Sequence, residues 1–412
     1  MTEPKDLSNP SERYGFEYDI DAWYEKCSKF TTYTKFIPIT QSEAKVMIKQ
    51  YEFHIKKTKD QSPSGDDYEI LKKLEGKIDD ELTNNSEFYD EEMDVSSAFI
   101  RLSSRSPKDA AFNSQKIRQI LQRKLYEKNA MFSFGGENAK IQSDQDKQNN
   151  EFIAFFESQV EVMKFESGQE AIEMMTSSTR VYDDLNIALK YRNDDSLWNV
   201  FFVLRKWIPN HNIQYEFRTF VYNRKLCAIS QYNDALFFED LCNHKDLYLK
   251  AMLNFFEKIK DEIPFDNSVM DLVIYPLSSD EEKLHDMDNL NVQVLEFNPF
   301  NQYTGSAFFS WIKDTEILKG EKPFEFRIRE DSLPVLRNID FSESGSTNKN
   351  NQLMFNLMDI PDQSIIEENS ELLEMVDDFL NNDLERIHSN FKYVVQKTTT
   401  ESASERLNAM GI

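Results

Sequence analysis

The stretch Asn291-Val292-Gln293-Val294-Leu295-Glu296-Phe297-Asn298-Pro299-Phe300 decides how the fold is read. Its apolar residues mark a strand, and Pro299 ends the ladder by removing a backbone donor. Successive side chains of a strand point to opposite faces. This sets Glu296 and Asn298 on one face, in line with Val292 and Val294. A carboxylate and an amide oxygen at a strand end are hard oxygen donors, the kind Mg²⁺ takes while it also holds nucleotide phosphates. The same pair also reads as an acidic strand exit that caps nearby backbone. A Glu-x-Asn pattern alone does not separate the two readings.

Outward from this strand, residues 269–275 form another apolar strand. Residues 214–222 and 226–231 alternate across the polar turn 223–225, which makes them a hairpin. Further strands fall at 200–207, 98–102 and 34–39. Helices are expected from Ser42, which caps 42–48, and at 113–130, 167–178 and 247–260. The last carries Leu249, Met252, Leu253, Phe256 and Ile259 on one stripe. Helices alternating with hairpin-paired strands indicate α+β, not a parallel βαβ fold.

Three polar stretches interrupt this pattern: a linker at 59–67, an acidic loop at 79–94, and an Asn/Gln/Asp-rich excursion at 140–150. Gly135-Gly136 has the wrong flanks for a phosphate loop. Beyond Trp311, residues 324–328 form an edge strand. The tail from about Ser364 is acidic and helix-prone, with Leu372, Leu373, Met375, Val376, Phe379 and Leu380 as a stripe expected to dock on the body.

The chain has 412 residues, enough for two or three domains at about 150 residues each. Hydrophobic content of 40%, with 32 Phe and 17 Tyr, indicates a folded protein. No run approaches the roughly 18 apolar residues of a membrane span, and the polar N-terminus has no signal-peptide core. The net charge of −25 disfavours nucleic acid and anionic lipid and suits basic protein partners. The helix with Lys116, Arg118, Arg123, Lys124 and Lys128 is the one basic candidate for RNA. Cys27, Cys227 and Cys242 have no CxxC spacing and suit a reducing, cytoplasmic setting. Cys242 and His244 look like metal ligands, but no second pair completes a pattern. The scattered histidines support no hydrolase triad.

Several stretches, taken in order, resemble the cell division cycle protein 123 family, ATP-grasp proteins that help assemble eukaryotic translation initiation factor 2. They are Ala22-Trp23-Tyr24, the strand from Thr34 to Pro38, Arg101-Leu102, Ser106-Pro107-Lys108-Asp109-Ala110, and Ser177-Ser178 to Asp184-Leu185. The densest are Leu204-Arg205-Lys206-Trp207, Glu216-Phe217-Arg218-Thr219-Phe220-Val221, Ile229-Ser230-Gln231, Glu296-Phe297-Asn298-Pro299-Phe300 and Thr304-Gly305-Ser306 to Trp311. Phe326-Arg327 and Leu357 to Asp362 complete a series over roughly residues 18–362.

The resemblance implies an ATP-grasp fold of two lobes with antiparallel sheets and packed helices, and ATP·Mg²⁺ in the cleft between them. The chain then divides into a loose 1–15, an N-terminal lobe at 16–185 with an insertion at about 113–160, a C-terminal lobe at 186–362 and an acidic tail at 363–412. By the same resemblance Asp271, Glu296 and Asn298 hold the metal. Arg101, Lys108, Arg205, Lys206, Trp207, Glu216 and Arg218 line the nucleotide. Arg101 replaces the family's phosphate-binding Lys, and Glu296 its usual Asp. Ser104 replaces a Trp and Val273 a Tyr.

The implied function is that of an ATP-binding assembly chaperone that holds the γ subunit of initiation factor 2 and acts as a cytoplasmic monomer. An active ligase or kinase working on a protein, peptide or RNA end is the alternative, and a retained fold without nucleotide a third. No catalytic residue is assigned.

Overall fold

The computed structural model describes residues 16–332, apart from 59–61, 92, 115, 134–142, 193, 195–196, 210, 279 and 281–282. The acidic tail, the Leu357–Asp362 motif and Gly135-Gly136 lie outside the described residues. In chain order the strands are β1 (Thr34–Pro38), β2 (Tyr89–Asp90), β3 (Val95–Ser96), β4 (Ala98–Leu102), β5 (Lys164–Phe165) and β6 (Phe201–Lys206). They continue with β7 (Glu216–Tyr222), β8 (Lys225–Gln231), β9 (Ser268–Pro276), β10 (Leu290–Asn298) and β11 (Glu325–Arg327).

The first unit comprises Met1–Asn113, Met163–Asp234 and Asp240–Ile328. It contains two main sheets. One has the order β1-β6-β4-β5 and is antiparallel throughout; the other runs β10-β9-β7-β8-β11, antiparallel except where β11 joins β8. With the helices around them these sheets make the fold α+β. The strand that the sequence assigns to a lobe starting at 186 behaves differently. β6 lies between β1 and β4, and Phe202, Val203, Leu204 and Arg205 are all buried there, so it belongs to the first sheet.

The second sheet is built on β9, whose residues from Ser268 to Ile274 are buried without interruption. This is the signature of a central strand covered on both faces. Its edge partner β10 does not alternate cleanly, because its register slips between Val294 and Glu296. The slip corrects the expected geometry of the opening stretch. Val292 and Val294 pair with Ile274 and Leu272, whereas Glu296 pairs with Asp271 and Asn298 with Val269. A bulge exchanges the faces of everything beyond it. Glu296 and Asn298 therefore share a face with each other but not with Val292 and Val294, and Phe297 takes the buried side instead.

Local chemistry sets the helix ends. Thr40, not Ser42, caps the helix Gln41–His54 and closes a capping box with Glu43. The acidic residues from 79 to 84 are not a loop but the last turns of the helix Gly65–Asn84, which Ser64 caps with Asp67. No helix among the described residues is long and apolar enough to cross a membrane.

The second unit comprises Ser114–Val162, Ala235–Glu239 and Arg329–Ile412. Its described core is a pair of helices, Lys116–Ser133 and Asp144–Glu161. Residues 144–150 of the polar excursion open the second of these, which Ser143 caps in a box with Asp146, and Phe152, Ile153, Phe155 and Phe156 bury one side. Three cations of the basic helix are met by acidic residues of that helix and of its neighbour. Arg123 pairs with Glu127 and Glu161, Lys124 with Glu157 and Glu161, and Lys128 with Glu157.

Candidate functional site

The site lies where the two sheets of the first unit face each other. Pairing of β4 with β6 puts Arg101 opposite Val203 and Phe99 opposite Arg205, so Arg101 and Arg205 leave the first sheet from one face. Across from them, pairing of β7, β9 and β10 puts Arg218, Asp271 and Glu296 side by side. Arg101 is buried, with Nη1 donating to Glu296 Oε2 at 2.6 Å. Its other nitrogens donate to the carbonyls of Leu102 and Ser104 at 3.0 and 2.9 Å, which fixes the fork. Those contacts leave Glu296 Oε1 clear among the described residues.

Arg218 grips Asp271 with two hydrogen bonds, Nε to Oδ1 at 2.9 Å and Nη2 to Oδ2 at 2.8 Å. Its third nitrogen donates to the carbonyl of Gly305 at 2.7 Å, and its guanidinium sits 4.8 Å from the ring centre of Tyr232. Asn298 turns its amide nitrogen to Asp271 Oδ2 at 3.2 Å. Lys108 reaches the Tyr232 hydroxyl at 3.1 Å.

Burial pushes the Glu296 carboxyl up, but Arg101, Lys108 and Arg218 more than offset it and hold it well below the usual carboxylate range. Asp271 moves the other way. Burial, with the charge of Glu296, keeps it above its ordinary value despite Arg218. Two carboxylates held apart in proton affinity mark a site arranged for charge, although structural ion pairs do the same.

Several sequence-based site assignments land elsewhere. Arg205 is buried, and its guanidinium serves the junction of the sheets. Nη1 donates to the carbonyl of Leu295 and Nη2 to Thr31 Oγ1, both at 2.6 Å. Burial, then the charge of Arg101, lowers its pKa to about 9. Lys206 forms a half-exposed ion pair with Glu87 at 3.3 Å. Glu216 pairs with His211 at 2.8 Å and not with Arg218, and Trp207 stands edge-on to the same His211. Trp207 and Glu216 thus meet at His211, between the end of β6 and the start of β7.

The structure adds residues the motifs did not assign. Arg180, at the start of the helix Thr179–Tyr191, donates through Nε to the carbonyl of Ser106 at 3.0 Å. Among the described residues no partner takes its Nη groups. Burial, then the charge of Arg105, lowers its pKa, and it lies within electrostatic range of Glu296 and Tyr232. Asp109 anchors that helix start, accepting from the Ser178 hydroxyl at 2.6 Å and the Arg180 amide at 3.2 Å. Arg105 is committed to Asp184 through a two-pronged pair. Only the position of Arg180 just after Ser177-Ser178 hinted at it in the sequence.

The donor set fits Mg²⁺ in kind: carboxylate and amide oxygens, with Glu296 Oε1 free to ligate. Glu296 and Asn298 would hold such an ion, with Asp271, whose two oxygens Arg218 already grips, beside them.

A family model described as D123 matches residues 152–360, just over half of the chain. The chain belongs to the D123 family. It is a divergent member of the cell division cycle protein 123 group that the ordered stretches resemble. The D123 match takes in Arg180, Arg218, Asp271, Glu296 and Asn298, while Arg101 and Lys108 come from the part of the chain before it. A CDC123-like protein of Acanthamoeba polyphaga mimivirus is 25% identical over 183 residues, 44% of this chain and 53% of that relative. The translation initiation factor eIF2 assembly protein of Emericella nidulans is 33% identical over 131 residues, 32% of this chain and 28% of the relative. The chain therefore spans about half the length of the viral relative and less of the fungal one. The solved structure of Cdc123 from Schizosaccharomyces pombe matches 77% of this chain and 98% of its own, at 20% identity and a TM-score of 0.49.

Proposed function

We propose that this chain is an ATP- and Mg²⁺-binding factor that helps assemble translation initiation factor 2 by holding its γ subunit. The observation that carries the nucleotide part is the bond from Arg101 to Glu296 beside the Arg218–Asp271 pair, with Lys108 and Arg218 meeting at Tyr232. In a chain of net charge −25, a local focus of cations beside hard oxygen donors suits a polyphosphate with its metal. The assembly role rests on relatives whose names carry it, and the acidic surface suits a basic partner segment.

In this reading Glu296 and Asn298 hold the metal, which shields the charge of the bound phosphates. Arg180 and Lys108 meet phosphate oxygens, with Arg101 fixed behind Glu296. Nucleotide acts by favouring one arrangement of the two sheets over others, which requires different affinities for the two states.

Thermal denaturation of the full chain with ATP, with and without Mg²⁺, tests the nucleotide part. Stabilisation that needs Mg²⁺ and disappears in Glu296→Gln supports it; no shift overturns it. Recovery of the γ subunit on the immobilised chain tests the partner separately, and failure to retain purified γ subunit with or without ATP overturns that part alone.

A further inference from the structure

We propose that Asp240, His244 and His285 form a binding site for a divalent transition metal of the zinc type. The site is independent of the Glu296 cluster. Sequence spacing suggests Cys242 as the partner of His244; the structure instead groups His244 with Asp240 and His285. Asp240 stands in the first turn of the short helix Glu239–Asn243 and His244 just beyond its last residue, four positions on, a spacing that brings both to one side of a helical turn. His285 arrives from the loop between β9 and β10.

The ligand atoms converge on one carboxylate oxygen. His244 Nδ1 lies 2.9 Å and His285 Nε2 3.3 Å from Asp240 Oδ1, and the potential donors all lie within 4.8 Å of one another. A tetrahedral ion bound at about 2.0–2.1 Å separates its ligands by roughly 3.3 Å, close to the spacing already present. His244 Nδ1 also touches the backbone carbonyl of Asp240 at 3.1 Å. The two imidazoles are stacked with centres 3.6 Å apart, so ligation splays them.

The groups behind the ligands are arranged as a metal site requires. Asp240 Oδ2, the oxygen turned away from the histidines, accepts from the hydroxyls of Tyr215 at 2.5 Å and Tyr248 at 2.9 Å. Tyr248 also lies 3.3 Å from His285 Nδ1. It has one hydroxyl proton, and the shorter contact takes it. Tyr248 therefore bridges Asp240 Oδ2 and His285 Nδ1 and fixes how both side chains face the point where Asp240 Oδ1 and His285 Nε2 meet. Outer partners that fix the tautomer of a histidine and the orientation of a carboxylate are the usual second layer of such sites. Tyr248 is buried on the helix Lys245–Ile259, which makes this layer rigid. The three ligand side chains keep about a third of their surface open, which gives an ion a path and a position for water. Two imidazoles and one carboxylate suit Zn²⁺ or Co²⁺ over Mg²⁺.

Calorimetric titration of the full chain with Zn²⁺ in metal-free buffer, and the absorption spectrum with Co²⁺, test this. One Zn²⁺ per chain is expected, at least tenfold weaker in His285→Ala and His244→Ala. Tyr248→Phe should weaken it about tenfold with the fold retained. Glu296→Gln should leave it unchanged. No Zn²⁺ uptake by the unaltered chain overturns the site, because the carboxylate then pairs only with a proton on histidine. Uptake indifferent to His285→Ala, or lost only in Glu296→Gln, overturns it equally.

Discussion

Arg205 donates from Nη1 to the carbonyl oxygen of Leu295 at 2.6 Å, one residue before the Glu296 that Arg101 binds through its side chain. Two arginines from one face of the first sheet thus hold successive residues of β10, at the point where its register slips. Thr31 adds a bond from its hydroxyl to the carbonyl of Val294, also at 2.6 Å, and accepts from Arg205 Nη2. The slip turns Glu296 toward Arg101, and these buried bonds satisfy carbonyls near it that would otherwise be stranded.

Arg205→Lys shows how far the junction depends on the fork. An ammonium is a compact point charge and cannot reach both Thr31 and Leu295 in one geometry. Each buried acceptor left without a donor costs about 1–3 kcal/mol. Denaturant unfolding should therefore show Arg205→Lys less stable by that order. A variant as stable as the native chain would mean that the junction does not depend on the guanidinium.

Arg180→Met separates phosphate binding from architecture. The Nε of Arg180 donates to one carbonyl, that of the half-buried Ser106, while its charge acts on Glu296. Hydrogen bonds to charged groups contribute about 1.5–3 kcal/mol, so ATP affinity should fall by roughly 10- to 100-fold. Lys206→Met, which removes only a half-exposed ion pair, should leave affinity within about twofold. Equal losses from both variants would place the phosphates elsewhere.

Much of this arrangement was legible in the sequence. The hairpin of 214–222 and 226–231 was legible from its short polar turn, and β7 and β8 pair as expected, although Phe217 to Val221 are buried without alternation. The Glu296 and Asn298 face was legible as a pair, yet its relation to Val292 and Val294 was not. A bulge depends on what another sheet offers the slipped carbonyl, here Arg205, and no local pattern encodes that partner. The same limit applies to Arg205 and Glu216. Residue type suggests a ligand, but burial against Leu295 or pairing with His211 is decided by distant strands. His285 lies 41 positions from His244 and becomes its neighbour only through the β9–β10 loop.

Gly168→Ala should disrupt the contact between the helices Gly65–Asn84 and Gly168–Thr176. A Cβ on Gly168 would sit 2.1 Å from the carbonyl oxygen of Glu75, and that neighbour is backbone in mid-helix. The Gly168 amide also donates to Asp79 Oδ1 at 2.6 Å, so the helices cannot part without losing a bond. Overpacking of this kind costs about 1–3 kcal/mol or more. The measurement is the thermal midpoint against Gly76→Ala, where the added methyl meets nothing within 4 Å and mid-helix alanine is favoured. Stability should fall in the first variant and hold or rise in the second.

Asp19 gives a pH dependence that can be measured away from the nucleotide cluster. Burial pushes its carboxyl up to about 7, in spite of the bond it accepts from Arg192 at 2.8 Å. An unfolded Asp titrates near 3.9, so between about pH 4 and 7 the folded chain binds the extra proton. Stability linked to this group is therefore complete below about pH 4 and declines as pH rises through 7, by up to about 4 kcal/mol. Asp19→Asn removes the proton equilibrium while keeping an acceptor for Arg192. The stability advantage of the native chain over this variant should shrink across that window and then stay level. An advantage that grows with pH would show that Arg192 outweighs burial and holds Asp19 ionised throughout.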